Sequence, residues 1–152
     1  MIHFTSGDLF AAPGLVGLAH GCNCAGAMGK GIALEFRRRW PAMYEEYRKR
    51  CAAGSFSLGD VFAWKADDGV TVFNLGTQRT WRTQAELPAI EAAVGRMLEL
   101  AAERTVRRIG LPRIGAGLGG LPWPEVKALL QRVAASSTVE LVVLEEFADL
   151  SS

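Results

Sequence analysis

Two glycine-rich stretches carry residue types that could hold an anion. The first reads Gly21-Cys22-Asn23-Cys24-Ala25-Gly26-Ala27-Met28-Gly29-Lys30-Gly31, the second Pro112-Arg113-Ile114-Gly115-Ala116-Gly117-Leu118-Gly119-Gly120. Glycine has no Cβ, so its backbone N–H can come close to a phosphate, and a helix starting just beyond adds the positive end of a dipole. One charge-assisted hydrogen bond contributes about 1.5–3 kcal/mol. Four amides then reach about 8 kcal/mol, the energy of a micromolar complex, before ordering and association losses are subtracted. Phosphates alone are too few contacts. A ligand with more to bury, such as an adenine and two riboses, accounts better for two loops.

Other chemistries fit these residues less well. Gly115-x-Gly117-x-x-Gly120 has the form of a dinucleotide fingerprint. That fingerprint, however, needs a further βαβ run with an acid about 20 residues on. Only one helix and one strand follow here. Gly29-Lys30-Gly31 fails as a P-loop, because no Ser or Thr follows the lysine and Cys24 stands where the leading glycine belongs. Cys22, Cys24 and Cys51 have no second pair at zinc spacing and read as reduced thiols in or near the core. No metal and no cofactor are expected.

The loops must be positioned by the elements around them. A short strand over residues 1–5 stops at Ser6-Gly7-Asp8, and a second apolar run, Leu15 to His20, ends at Gly21. From Gly31 the period changes: Ile32, Leu34, Phe36, Trp40, Met43 and Tyr47 fit helical faces, and Pro41 opens a second helix. Ser57–Trp64 and Val70–Leu75 form a hairpin around Asp67-Asp68-Gly69. Glu86–Arg104 is a helix with Ile90, Val94, Met97, Leu98 and Ala101 on one stripe. A strand over Val106–Leu111, a helix over Trp123–Ala135 and a strand over Val139–Leu144 complete the chain. Helix and strand alternate through the second half, which implies parallel crossover units. The expectation is one α/β domain over residues 1–152, a three-layer α/β/α arrangement with a mixed, mostly parallel sheet.

Composition narrows the partners. A hydrophobic fraction of 49% and a charged fraction of 22% are those of an ordinary globular protein. The net charge of +1 provides no extended basic face for nucleic acid, although a short contact with an end stays open. No signal peptide and no membrane span are legible, so a cytoplasmic monomer with no membrane partner is expected.

Four segments together are more specific. Ser6-Gly7-Asp8-Leu9-Phe10, Asn23, Met28-Gly29-Lys30-Gly31-Ile32-Ala33 and Pro112-Arg113-Ile114-Gly115-Ala116-Gly117-Leu118, in this order, resemble a macrodomain over essentially the whole chain. Phe73-Asn74-Leu75-Gly76-Thr77-Gln78-Arg79-Thr80-Trp81-Arg82 resembles the subgroup that holds the terminal ADP-ribose protein glycohydrolase and the antitoxins that remove ADP-ribose from DNA. The resemblance implies binding of ADP-ribose, with Asp8 on the adenine amino group and the Leu9 amide nearby. Asp8 fits equally the cap of a turn or short helix. It places Gly29, Lys30, Gly31 and Ile32 in one phosphate loop and Gly115, Ala116, Gly117 and Leu118 in the other. Lys30 reads equally as a solvated side chain. Asn23, Thr77 and Gln78 come beside the distal ribose, with Asn23 and Gln78 as the catalytic pair.

The same resemblance exposes two departures. Hydrolytic relatives carry Lys where this chain has Gln78, and the glycohydrolase has Asp where this chain has Gly119. An amide has no ionisation to offer, so a lysine-assisted route is lost. Substrate-assisted hydrolysis, with the diphosphate orienting a water, remains. Three functions follow: a hydrolase releasing ADP-ribose from acidic protein side chains or nucleic acid, a reader without turnover, and an esterase or phosphatase acting on ADP-ribose derivatives.

Overall fold

The structure, a computed structural model, describes residues 1–147. The far end of the expected domain, residues 148–152, lies outside them. Six strands and four helices follow in the order β1 (Ile2–Gly7), β2 (Gly17–Asn23), α1 (Gly31–Arg39), α2 (Pro41–Ala52), β3 (Val61–Lys65), β4 (Thr71–Gln78), α3 (Leu87–Glu103), β5 (Arg108–Pro112), α4 (Trp123–Ala134) and β6 (Glu140–Phe147). The sheet order is β1-β6-β5-β2-β4-β3. Every pairing is parallel except β3 with β4, the expected hairpin. The fold is the mixed, mostly parallel α/β architecture that the alternation implied.

Alternation along the strands sorts the core into two halves. Ala19, Phe73, Leu75, Ile109, Leu111, Leu141 and Val143 face one side, where Ile90, Val94, Met97 and Leu98 of α3 and Leu130 of α4 cover them. Leu18, Cys22, Phe62, Val72, Val142 and Leu144 face the other, under Phe36, Met43 and Tyr47 of α1 and α2. Each large apolar side chain so buried contributes about 1.5–3 kcal/mol. Pro41, Pro88 and Pro124 stand in the first turns of α2, α3 and α4, where a missing N–H costs nothing. No helix among the described residues is long and apolar enough to cross a membrane.

Several boundaries differ from expectation, and the differences shape the site. Strand β2 does not end at Gly21 but runs on to Asn23, and β4 continues past Leu75 to Gln78. The two strands stay paired through Cys22 and Gly76, then Asn23 meets Gln78 across a bulge. Gly21 acts here as a close-packing residue, since a Cβ would sit 2.9 Å from Thr77 Oγ1. β1 also outruns its expected stop, reaching Gly7 after a register shift at Thr5/Ser6. β3 starts late, at Val61, because Ser57 to Asp60 form a turn: Ser57 N–H donates to Asp60 Oδ2 at 2.8 Å and Asp60 N–H to Ser57 O at 3.0 Å.

Candidate functional site

One cleft of about 510 Å³ opens at the carboxyl ends of the parallel strands. Its walls are Lys30 to Ala33 at the start of α1, the Pro112–Gly119 loop, Gly21, Thr77 and Gln78, with Phe10, Leu144 and Glu145 at the opposite end. That position is where ligands gather in open α/β sheets. The two glycine stretches, about 80 residues apart in sequence, therefore face one space. They also meet at its mouth: Leu118, 68% exposed, brings Cδ1 to 3.5 Å from where a Cβ on Gly31 would lie.

The first loop offers the start of α1. No side chain caps this helix, so the amides of its first turn stay open to the cleft. Gly31 takes φ +60°, a left-handed conformation that glycine adopts freely. In the second loop, Leu121 N–H returns to Gly115 O at 2.9 Å, and Ala85 N–H donates to Gly119 O at 2.8 Å, tying the loop to the segment before α3. The amides of Gly115, Gly117, Leu118 and Gly119 have no acceptor among the described residues. Ala116 stands apart from its neighbours: its amide donates to Arg113 O at 3.3 Å and its side chain is not in the cleft wall. Gly29 also lies outside the wall, in open space.

The glycines of the second loop are not equivalent. Gly115 has φ +75° and a Cβ there would meet Ile90 Cδ1 at 2.6 Å, whereas Gly117 has nothing within 4 Å. Gly119 is held by backbone: its Cβ would lie 2.6 Å from Gly115 O. The carboxylate that the glycohydrolase has at this place cannot be accommodated with this loop path.

At the β4 end of the cleft stand Thr77 and Gln78. Thr77 Oγ1 donates to Cys22 O at 3.4 Å. Gln78 Nε2 donates to Thr80 O at 2.9 Å and Thr83 O at 3.2 Å, and so fastens the loop beyond it. Asn23, beside Gln78 in register, is buried behind this wall rather than in it. Its Oδ1 accepts from Ala25 N–H at 3.0 Å and Ala27 N–H at 3.2 Å, and its Nδ2 donates to Ala27 O at 2.8 Å. Tyr47 donates its hydroxyl proton to Asn23 O at 2.7 Å. Asn23 thus shapes the first loop with most of its polar capacity, and one Nδ2 hydrogen is left over.

At the β1 end, Asp8 Oδ1 accepts from Phe10 N–H at 2.9 Å, which is the turn-capping role, and Oδ2 remains uncommitted among the described residues. Leu9 has its side chain in the core, where Cδ1 would lie 2.9 Å from a Cβ on Gly110. Asp8 and Leu9 border the cleft through Phe10 and do not line it. Phe10 is a wall residue that the loop-centred reading missed. Edge-on packing against Phe36 at 5.1 Å and the Arg39 guanidinium 4.3 Å from its centroid fix its ring. Glu145, also missed, accepts from Trp123 Nε1 at 2.8 Å and Lys127 Nζ at 3.1 Å, and these bonds hold its carboxyl below the usual range.

Ionisable groups near the loops are tuned away from neutrality. His20 is fully buried, and burial lowers its pKa to about 4 against a raising effect of Asn74. Asn74 Nδ2 donates to Phe62 O at 3.1 Å, which turns Oδ1 toward His20 Nε2 at 2.7 Å and fixes the Nε2–H tautomer. The ring stacks on Phe36 with centroids 3.9 Å apart. It sits mid-strand rather than at a strand end, with no place in the cleft wall. Burial likewise raises Cys24 to about 11 and lifts Cys22 and Cys51. None of these thiols is a nucleophile at neutral pH. No group of three metal-ligating side chains occurs among the described residues.

Comparison with known proteins gives the family. The Macro domain family model matches residues 19–130. The chain is 38% identical over 151 residues to a DNA ADP-ribosyl glycohydrolase of Thermus aquaticus, a match covering 95% of this chain and 41% of that protein. It therefore spans about two fifths of the length of that relative. A second relative, an ADP-ribose 1''-phosphate phosphatase of Candida albicans, is 31% identical over 144 residues, with 86% of this chain and 92% of the relative covered. Among solved structures, the macrodomain of Mycobacterium tuberculosis DarG superimposes with a TM-score of 0.88 at 31% identity and 98% coverage of both chains. With its two amide-lined loops over one cleft at the strand ends, the chain belongs to the Macro domain family.

Proposed function

We propose that this chain binds ADP-ribose in the cleft and hydrolyses it from a modified nucleic acid or acidic protein side chain. The carrying observation is the convergence of the uncapped α1 start and the Gly115, Gly117, Leu118 and Gly119 amides on one cleft. Strand order supports the orientation: adenine at the β1/β6 end by Asp8, Leu9 and Phe10, diphosphate over β5 and β2, distal ribose at β4. The name of the Thermus aquaticus relative, a DNA ADP-ribosyl glycohydrolase, supports the reaction.

In the reaction, a water oxygen bonds to the anomeric carbon of the distal ribose as the bond to the modified atom breaks. The water's proton leaves with the departing group. Asn23 holds the first loop in shape from behind the wall, and Gln78 Oε1, whose Nε2 is committed to the loop, accepts from the water. Bound diphosphate completes the water's orientation. Correct placement of this kind supplies several kcal/mol without an acid–base pair.

The test is incubation of the purified protein with ADP-ribosylated single-stranded DNA and with ADP-ribosylated protein, followed by detection of free ADP-ribose. Release from either supports the reading, and binding without release makes the protein a reader. The Candida albicans relative supports a second reading, removal of phosphate from ADP-ribose 1''-phosphate. Inorganic phosphate from that compound, with no ADP-ribose released from the macromolecules, would favour it.

A further inference from the structure

The loop that Gln78 fastens carries a feature the cleft chemistry does not use. Of four tryptophans in the chain, Trp81 alone is exposed, at 58%. An indole on the surface forfeits the burial that usually holds it, unless a partner covers it. Its loop is held firmly. Besides the two Gln78 bonds, Thr80 N–H donates to Thr83 Oγ1 at 3.0 Å, Thr83 Oγ1 donates to Thr80 O at 3.1 Å, and Arg82 N–H donates to Thr80 Oγ1 at 3.2 Å. A cross-braced loop presents Trp81 three residues after Gln78, which lines the ribose end of the cleft. The Arg82 guanidinium lies 5.7 Å from the Trp81 ring centroid and adds a cation to its face.

Charge around the cleft favours a polyanionic partner. Three acids near this end and along the wall are paired, Glu35 with Arg38, Glu86 with Arg79 and Glu145 with Lys127, which leaves Asp8 at the β1 end without a cation among the described residues. Lys30, Arg113 and Arg82 have no carboxylate within 4.0 Å among the described residues. Three open cations with an exposed aromatic face combine the two parts of single-strand recognition, backbone charge and base stacking. The small overall charge is no obstacle, because only one or two nucleotides need contact.

We propose that Trp81 and Arg82 form a stacking platform for the base next to the ADP-ribosylated nucleotide of a single-stranded nucleic acid. The inference rests on the cleft holding ADP-ribose, and it selects nucleic acid over protein as the substrate class. Stacking on one aromatic ring strengthens binding by about tenfold or more.

The experiment compares free ADP-ribose, an ADP-ribosylated ten-nucleotide single-stranded DNA and an ADP-ribosylated acidic peptide. Each is titrated against labelled ADP-ribose in the native protein and in Trp81→Ala, Trp81→Phe and Arg82→Ala. Where turnover occurs, KM and kcat are read instead. The native protein is expected to prefer the oligonucleotide to free ADP-ribose. Trp81→Ala removes that preference, at least tenfold, through KM or Kd alone, and leaves free ADP-ribose unchanged. Trp81→Phe restores it, and Arg82→Ala lowers it partly. An undiminished oligonucleotide preference in Trp81→Ala overturns the platform, as does a loss seen with the peptide alone. Failure of free ADP-ribose to bind the native protein would instead count against the cleft assignment.

Discussion

His20 shows how a residue type that invites a catalytic reading can be structural. Its ring is enclosed by Phe36, Cys22 and Asn74, with its proton on the nitrogen facing Asn74. Burial that lowers the pKa from 6.5 to about 4 has a consequence for stability. Between those values the unfolded chain takes up a proton that the folded one refuses, so stability is full above about pH 6.5 and falls as pH drops toward 4. The loss reaches about 3 kcal/mol, worth several degrees in Tm. Melting native protein and His20→Gln across this range should show a native-specific decline, and parallel curves would mean that His20 is not held neutral. Asn23, expected beside the ribose, spends its hydrogen bonds on the first loop. The glycines of the first loop were legible as a loop, but the loop-shaping role of Asn23 was not, because it depends on bonds to Ala25, Ala27 and to Tyr47, 24 residues away.

Among the elements, helices were read almost to the residue, because α3 buries Ala89, Ile90, Ala93, Val94, Met97, Leu98 and Ala101 on one face and prolines mark three helix starts. Strand ends were read too short. β2 was read to end at Gly21 and β4 at Leu75, yet Gly21 and Gly76 both lie in paired strand, each where a neighbour leaves no room for a Cβ: Thr77 Oγ1 at the first, Ser57 O at the second. Close approach between strands is set by tertiary packing and leaves only a glycine in the sequence. The same distinction separates the glycines of the second loop and gives a prediction. Gly117 has open space, so Gly117→Glu should fold with native Tm while its carboxylate occupies the phosphate position and reduces ADP-ribose affinity at least a hundredfold, about 3 kcal/mol. Calorimetry with a melting control checks this. Unchanged affinity in the folded variant would reduce the loop to a connection.

At the scale of the whole molecule, sheet order converts distant sequence segments into one linear site. β1 and β6 lie together at one side, β5 and β2 at the centre, β4 beyond; β1, β5, β2 and β4 deliver their following loops to the same edge, and β6 brings Leu144 and Glu145 there. Parallel pairing is what makes this arrangement possible, since parallel strands present all their carboxyl ends on one side. The glycine loops and the macrodomain resemblance were readable from sequence. The wall residues Phe10, Leu144 and Glu145 were not, because nothing in their local pattern separates a cleft-facing residue from a core or surface one. An elongated site built in this way should discriminate by ligand length. Isothermal titration calorimetry of ADP-ribose against AMP measures that directly. ADP-ribose should bind with a Kd of about 1 μM or below, an interaction of about 8 kcal/mol, and AMP at least tenfold more weakly, because AMP engages one end and at most one loop. Equal affinities for the two would contradict a diphosphate held between both loops.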